Sequence, residues 1–290
     1  MLYVRVLAVV SVLLGVGSCG GEGACAACGR PESQGTLANP ELVEASGVAA
    51  SRVHGDVFYA HNDSGDSSRF FAFSREGADL GVYKVMGAQN VDWEDMAVGP
   101  CDAGSCIYIA DTGDNTGERL AVTLYRIAEP ATVAAGEQSL PSERIVFTYP
   151  DGAQDAETLL VHPSTGAVTI VTKVDGGPAR VYELPLPLTT GKTFMAVKKG
   201  SIEAPDGNKF TGGAVHPDAT GVLLRTHESL FLYSMGAGQS VADALAQEPC
   251  ELSVADEMLG EAVTWLASGS GFVTIGEGEG ARVNVSACEL

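Results

Sequence analysis

The residues of this chain best suited to chemistry are carboxylates. Two stretches repeat one pattern, Asn62-Asp63-Ser64-Gly65-Asp66 and Ala110-Asp111-Thr112-Gly113-Asp114-Asn115, which places two acids around a tight glycine turn. Carboxylates, hydroxyls and exposed carbonyls are the ligands of a hard cation such as Ca2+. The same pattern also builds an ordinary turn in which Asp bonds its own backbone. A third run, Asp92-Trp93-Glu94-Asp95, is acidic as well. The candidate metal ligands are therefore Asp63, Asp66, Asp92, Asp95, Asp111 and Asp114, with Ca2+ as the expected ion. Glu94, Glu157 and Glu261 hold equivalent places in a recurring segment, where Ser46 and Thr211 fill the other two. Three carboxylates around one axis can move protons or hold a metal, and these three are the catalytic candidates if the protein is an enzyme. The plainer alternative is that they bond backbone amides between neighbouring units.

Several chemistries find no support. The chain has no HExxH, no Walker loop and no GxSxG, and Gly276-Glu277-Gly278-Glu279-Gly280 is acidic where a dinucleotide phosphate would sit. The formal net charge is −20, from 37 acids against 17 bases, which disfavours nucleic acid and anionic lipid headgroups as direct partners. It suits cations, a basic protein or a small-molecule ligand.

These acids need a scaffold, and internal repeats supply one. An apolar segment recurs five times, at Ala45–Ala49, Trp93–Ala97, Ala156–Leu160, Phe210–Ala214 and Gly260–Thr264. A second strand follows each, at Val57–Ala60, Ile107–Ala110, Val168–Thr172, Val222–Thr226 and Phe272–Ile275. A third follows that, at Phe70–Ser74, Val122–Ile127, Arg180–Leu184, Ser229–Ser234 and Ala281–Val285. A fourth appears four times, at Leu80–Val85, Arg144–Tyr149, Phe194–Lys198 and Glu251–Val254. Four antiparallel strands at roughly 50-residue spacing predict an all-β fold, a single β-propeller of five four-stranded blades, with six as the alternative. The fifth repeat lacks a fourth strand, and Thr36–Val43 is the segment expected to supply it and close the ring, although Pro40 interrupts it. A short helix is expected near Val241–Gln247.

In a propeller the loops entering strand one and those joining strands two and three share one face, the top. Sorted this way, 17 of the 37 acids fall on the top, near the axis. They include all nine candidates above. Bottom hairpins such as Ala267-Ser268-Gly269 are nearly neutral.

The remaining segments concern export. Residues 1–18 have one cation, Arg5, then the uncharged apolar run Val6–Val16, shorter than the about 20 residues that span a bilayer. The run ends in Val16-Gly17-Ser18-Cys19, which looks like a bacterial lipobox. Cys19 is thus the expected lipidated first residue, followed by a flexible tether to residue 35 and a propeller domain over 36–290. The expectation is a monomer held on the cell envelope by acyl chains alone, at the outer membrane in a Gram-negative cell. Six further cysteines in an exported chain predict disulfides. Cys101–Cys106 flank a bottom hairpin; Cys250–Cys288 meet on the bottom, and Cys25–Cys28 form a local pair.

Ala45-Ser46-Gly47-Val48, Ala60-His61-Asn62-Asp63 and Asp92-Trp93-Glu94-Asp95-Met96-Ala97 resemble bacterial propellers of the SdiA-regulated and phytase-like groups, over residues 41–127. The resemblance implies a propeller, often of six blades, with an acidic and often calcium-binding top. Calcium-dependent phytases also hold phosphates with several basic residues, and this top offers chiefly Lys173, Lys209 and Arg225. The expected function is a membrane-anchored binding module whose acidic face takes a divalent cation or a basic partner. The alternative is a calcium-dependent hydrolase of phosphoesters, lactones or glycosides.

Overall fold

The computed structural model describes residues 28–289. The expected signal peptide, Cys19 and Cys25 lie outside them. The first strand among the described residues is β1 (Glu32–Thr36). The first blade is β2 (Ala45–Ala50), β3 (Val57–Asn62), β4 (Arg69–Ser74) and β5 (Asp79–Met86). The second is β6 (Trp93–Cys101), β7 (Gly104–Asp111), β8 (Val122–Ala128) and, after the short β9 (Glu137–Pro141), β10 (Glu143–Thr148). The third is β11 (Thr158–Val161), β12 (Val168–Val171), β13 (Ala179–Glu183) and, after β14 (Thr193–Met195), β15 (Val197–Ile202). The fourth is β16 (Phe210–Val215), β17 (Gly221–Thr226), β18 (Leu230–Ser234), the helix α1 (Val241–Leu245) and β19 (Cys250–Leu252). The fifth is β20 (Gly260–Trp265), β21 (Gly271–Gly276) and β22 (Arg282–Ala287), with β1 as its outermost strand. This is a five-bladed β-propeller. No helix among the described residues is long and apolar enough to cross a membrane.

The ring is held by five hydrophobic clusters, one at each blade–blade junction. Tyr59, Phe70 and Tyr83 of blade one meet Trp93, Ile107 and Ile109 of blade two. Phe147 and Tyr182 join blades two and three, Val181 and Phe231 join three and four, and Leu223 and Trp265 join four and five. Val48 and Phe73 pack against Val273 and Val285, which brings blade five back to blade one. The period-two pattern of each strand therefore buries both blade faces, and apolar burial at about 25 cal/mol per Å2 drives the stacking.

Three expectations need correction. The outer strand of blade five is Glu32–Thr36 and not Thr36–Val43, so the tether is shorter than residues 19–35. Residues 37–43 instead turn at Pro40 and Glu41, closed by Leu42 N–H to Asn39 O, because Leu37 and Leu42 are drawn into the junction of blades five and one. The run Phe194–Lys198 is split. Phe194 and Ala196 turn inward to the junction of blades two and three, so β14 adds to β10 while β15 carries the edge with Lys198 and Lys199. Finally, Cys288 pairs with Cys28, not with Cys250. β1 runs antiparallel to β22 and sets Cys28 directly opposite Cys288, which also rules out Cys25–Cys28. Cys250 is itself disulfide-bonded. Cys101–Cys106 staples the β6–β7 hairpin as expected. The helix is one turn, capped by Ser240 and Asp243 in a reciprocal pair.

Candidate functional site

The innermost strands share a local irregularity. In β2, β6, β16 and β20 the pairing with the next strand skips one residue, at Ser46, Glu94, Thr211 and Glu261. Such a bulge leaves one residue outside the ladder and re-aims its side chain. In the third blade Glu157 stands immediately above β11. The equivalent places seen in the repeats are therefore five positions around the top of the channel. Ser46 and Thr211 use theirs to tie blades together, donating to the carbonyl oxygens of Glu94 and Gly260 respectively. Among the described residues the three glutamates make no such bond to backbone.

Glu94 joins Asp63 and Asp92. One oxygen from each lies within 4.8 Å of the other two, and none of the three takes part in an ion pair among the described residues. Asp63 begins the loop after β3, where its backbone N–H donates to Glu44 O at 3.0 Å. Asp92 is fixed by its own N–H to Asp111 Oδ1, 3.1 Å, and by Gly113 N–H to its carbonyl oxygen, 3.2 Å. The Asp111–Asp114 loop presses onto these acids so closely that a Cβ on Gly113 would lie 1.9 Å from Glu94 Oε1 and 2.5 Å from Asp92 Oδ2. That approach explains the glycine of the Asp-Thr-Gly-Asp pattern. Burial raises the pKa of all three carboxyls. Repulsion adds to it, chiefly from Glu157, Asp63 and Asp92 on Glu94, and from Asp63 on Asp92.

Beside the trio lies a second group. Lys173 Nζ donates to Glu157 Oε1, while Glu157 Oε2 is buried with no partner. Burial pushes the Glu157 carboxyl up to about 8 against the pull of Lys173. Burial likewise raises Glu261 to about 7. His227 Nδ1 lies 3.3 Å from Glu261 Oε1 but off a hydrogen-bonding line, and burial and then Lys173 lower its pKa. That contact is accordingly one of a neutral ring. Lys173 is the cation that the acids of this mouth hold most directly. Burial works against its charge, yet Glu157, Glu94 and Asp155 hold its pKa above the ordinary lysine value.

The other four metal candidates do not join the trio. Asp66 accepts Arg69 Nε at 2.9 Å and Asn62 Nδ2 at 2.8 Å, and these bonds overcome burial and lower its pKa. Asp111 accepts Arg119 Nη2 at 2.8 Å. Asp114 accepts the N–H groups of Glu118 and Arg119, at 2.9 and 2.8 Å, closing its own loop. Asp95 is fully buried and accepts three backbone N–H groups: Met96 and Leu159 at 2.8 Å and Gly213 at 3.3 Å. These come from β6, β11 and β16, so Asp95 is a crossbar of the channel. Trp93 packs edge-on to His61 and donates to Gln89 O, as a wedge between blades one and two.

Sequence reasoning missed the bulges, the Asp95 crossbar and the buried pair of Arg225 with Glu257. Glu257 also accepts Thr274 Oγ1 and Asn284 Nδ2. The place of Arg225 among the basic residues of the top hinted at its half of that pair.

Fold and site together define a five-bladed propeller with a carboxylate-lined axial mouth. No family model matches the chain, and no curated protein is similar to it in sequence.

Proposed function

We propose that the protein is an exported, lipid-anchored binding module whose mouth takes a divalent cation at Asp63, Asp92 and Glu94, and through it a basic or cation-bridged partner. The observation that supports this reading is the trio itself: three carboxylate oxygens within 4.8 Å with no basic side chain paired to them. Hard oxygen donors of this kind suit Ca2+. A cation there would relieve the repulsion that raises their pKa values. The anchor is proposed at Cys19, in the envelope, with the outer membrane as the destination in a Gram-negative cell. Since Glu32 lies at the bottom end of β1, opposite Val285, a tether continuing from it would leave the bottom face and keep the mouth away from the lipid. Calorimetric titration with Ca2+ tests the site. Saturable binding that is lost in Asp92→Asn with Glu94→Gln is the expected result, and no heat above the buffer blank would refute it. Membrane fractionation of wild type against Cys19→Ala tests the anchor.

A second reading has its own observation. Glu157 at about 8 and Glu261 at about 7 keep protons near neutral pH, as a general acid must. A metal-dependent hydrolase would use them beside the cation. Turnover of a phosphoester, lactone or glycoside panel that disappears in Glu157→Gln would select this reading over the binding module.

A further inference from the structure

Below the Asp95 crossbar the channel opens again. A cavity of about 340 Å3 occupies its lower half, within the size range of small-molecule sites. Met96 and Gly213, whose N–H groups bond to Asp95, also line it, so the crossbar is its ceiling and separates it from the acidic mouth. Its walls are the innermost strands of the blades, with Val98, Val161, Val215 and Trp265 among the lining side chains. The indole N–H of Trp265 is buried and has no acceptor. Two opposite charges sit at the exposed rim. Arg52 reaches from blade one across to blade three, where one guanidinium nitrogen donates to Pro163 O at 3.0 Å. Its backbone is held by the Glu129 carboxylate, so the reach is directed. Asp218 stands on blade four, its backbone N–H fixed to His216 Nδ1 at 3.1 Å. Neither Arg52 nor Asp218 has an ion-pair partner among the described residues.

We propose that this lower cavity is a second binding site, for a small zwitterion with an apolar side chain, such as a free aliphatic or aromatic amino acid. Its carboxylate would take the free donors of Arg52, its ammonium would meet Asp218, and the apolar group would fill the channel under the crossbar. A guanidinium–carboxylate bond is among the strong ones. A concave cavity with a few charged and polar groups at its rim is a general form of ligand site. The site is independent of the cation reading and uses no residue of the upper mouth.

The test is calorimetry and tryptophan emission with the full-length protein and four probes: L-leucine, L-phenylalanine, 4-methylpentanoate and isopentylamine. One zwitterion should bind at one per chain, about tenfold or more tighter than the two single-charge analogues, because each removes a charged hydrogen bond. Arg52→Gln and Asp218→Asn, both at exposed positions, should each weaken it by a similar factor. Asp92→Asn, or a chelator, should leave it unchanged. Absence of binding by both amino acids would overturn the proposal. So would equal binding of zwitterion and single-charge analogues, or binding indifferent to both rim variants. Loss of binding in Asp92→Asn would relocate the ligand to the top and overturn it as well.

Discussion

The two ends of the channel solve opposite problems. At the top, Asp63, Asp92 and Glu94 crowd together with raised pKa values and no paired cation of their own. At the bottom, hairpins are closed by satisfied contacts, such as His216 Nε2 with Gly269 O at 3.1 Å and the Arg52 N–H with the Glu129 carboxylate at 3.1 Å, and two disulfides lie nearby. The top stores electrostatic repulsion that a ligand can relieve. The bottom is the braced end, where Cys28 before β1 is joined to Cys288 after β22. Asp95 stands between them as a structural acid with three N–H donors and no solvent, its pKa raised well above the ordinary value by burial against those donors. Chemical type alone does not separate Asp95 from Asp92. The difference is set by which backbone donors reach each carboxylate.

The largest effect expected is at the bottom. Cys28–Cys288 spans 260 residues of sequence, and restraint of so long a loop stabilises by about 5 kcal/mol in the chain-entropy account. Cys28→Ser with Cys288→Ser should lower the unfolding free energy by about that much in denaturant titration. A change below about 1 kcal/mol would mean that β1 packing alone holds the ends together. Next comes the crossbar. Asp95→Ala strands the N–H groups of Leu159 and Gly213 in the core, at about 1–3 kcal/mol each. A loss of about 3 kcal/mol is expected, against little loss for Asp92→Asn measured the same way. Equal losses would erase the distinction between the two acids.

A smaller effect separates the ends by pH. Asp63, Asp92, Glu94, Glu157 and Glu261 all have folded pKa values above their ordinary ones. The native state therefore holds more protons than the unfolded chain, and the stability these groups contribute is complete below the ordinary carboxylate range. It is lost as pH rises through the folded values, which for Glu261 and Glu157 are about 7 and about 8. Asp66 and Asp206, with lowered values, contribute the reverse dependence only in more acid solution. In chelator the protein should melt higher at about pH 5.5 than at about pH 8.5, by several degrees. Millimolar Ca2+ should narrow the gap by stabilising the pH 8.5 sample, by about 2.7 kcal/mol at a hundredfold excess over Kd. A flat profile in chelator, or a rise in stability with pH, would show that the mouth is merely solvated.

How much of this was legible in the sequence follows from the range of the interactions. The blades were legible because each strand's alternation is local and the repeat copies it five times. Sorting loops into top and bottom then placed Asp63, Asp92 and Glu94 on one face. Membership of the trio was not legible, because it depends on the bulge at Glu94 and on how far the Asp111–Asp114 loop leans over. Nor were β9 and β14 as separate strands, because they add in parallel to a neighbouring blade and bury few side chains, Phe194 among them. The Cys28–Cys288 pair joins opposite ends of the chain and needed the register of β1 on β22. Arg225 was legible as a base of the top, but its full burial against Glu257 was not, because that depends on how the blades stack.

The smallest effect in stability gives the sharpest distinction between the two ends. Gly113 does not have a positive φ, so alanine there meets no backbone strain. What the new methyl group meets is the carboxyl tips of Glu94 and Asp92, at 1.9 and 2.5 Å. Both are the ends of side chains that can rotate away, so the fold should lose less than about 1 kcal/mol. Part of that loss is offset, because moving Glu94 off Asp63 and Asp92 relieves their repulsion. The geometry of the trio, however, cannot survive. Gly113→Ala should therefore melt within a few degrees of wild type in chelator, yet show no rise in Tm with Ca2+ at about pH 8. L-Leucine binding at the lower cavity, beyond the Asp95 crossbar, should be unchanged in the same variant. A calcium response that persists in Gly113→Ala would move the cation away from Glu94, towards carboxylates this glycine does not touch, such as Glu157 and Glu261.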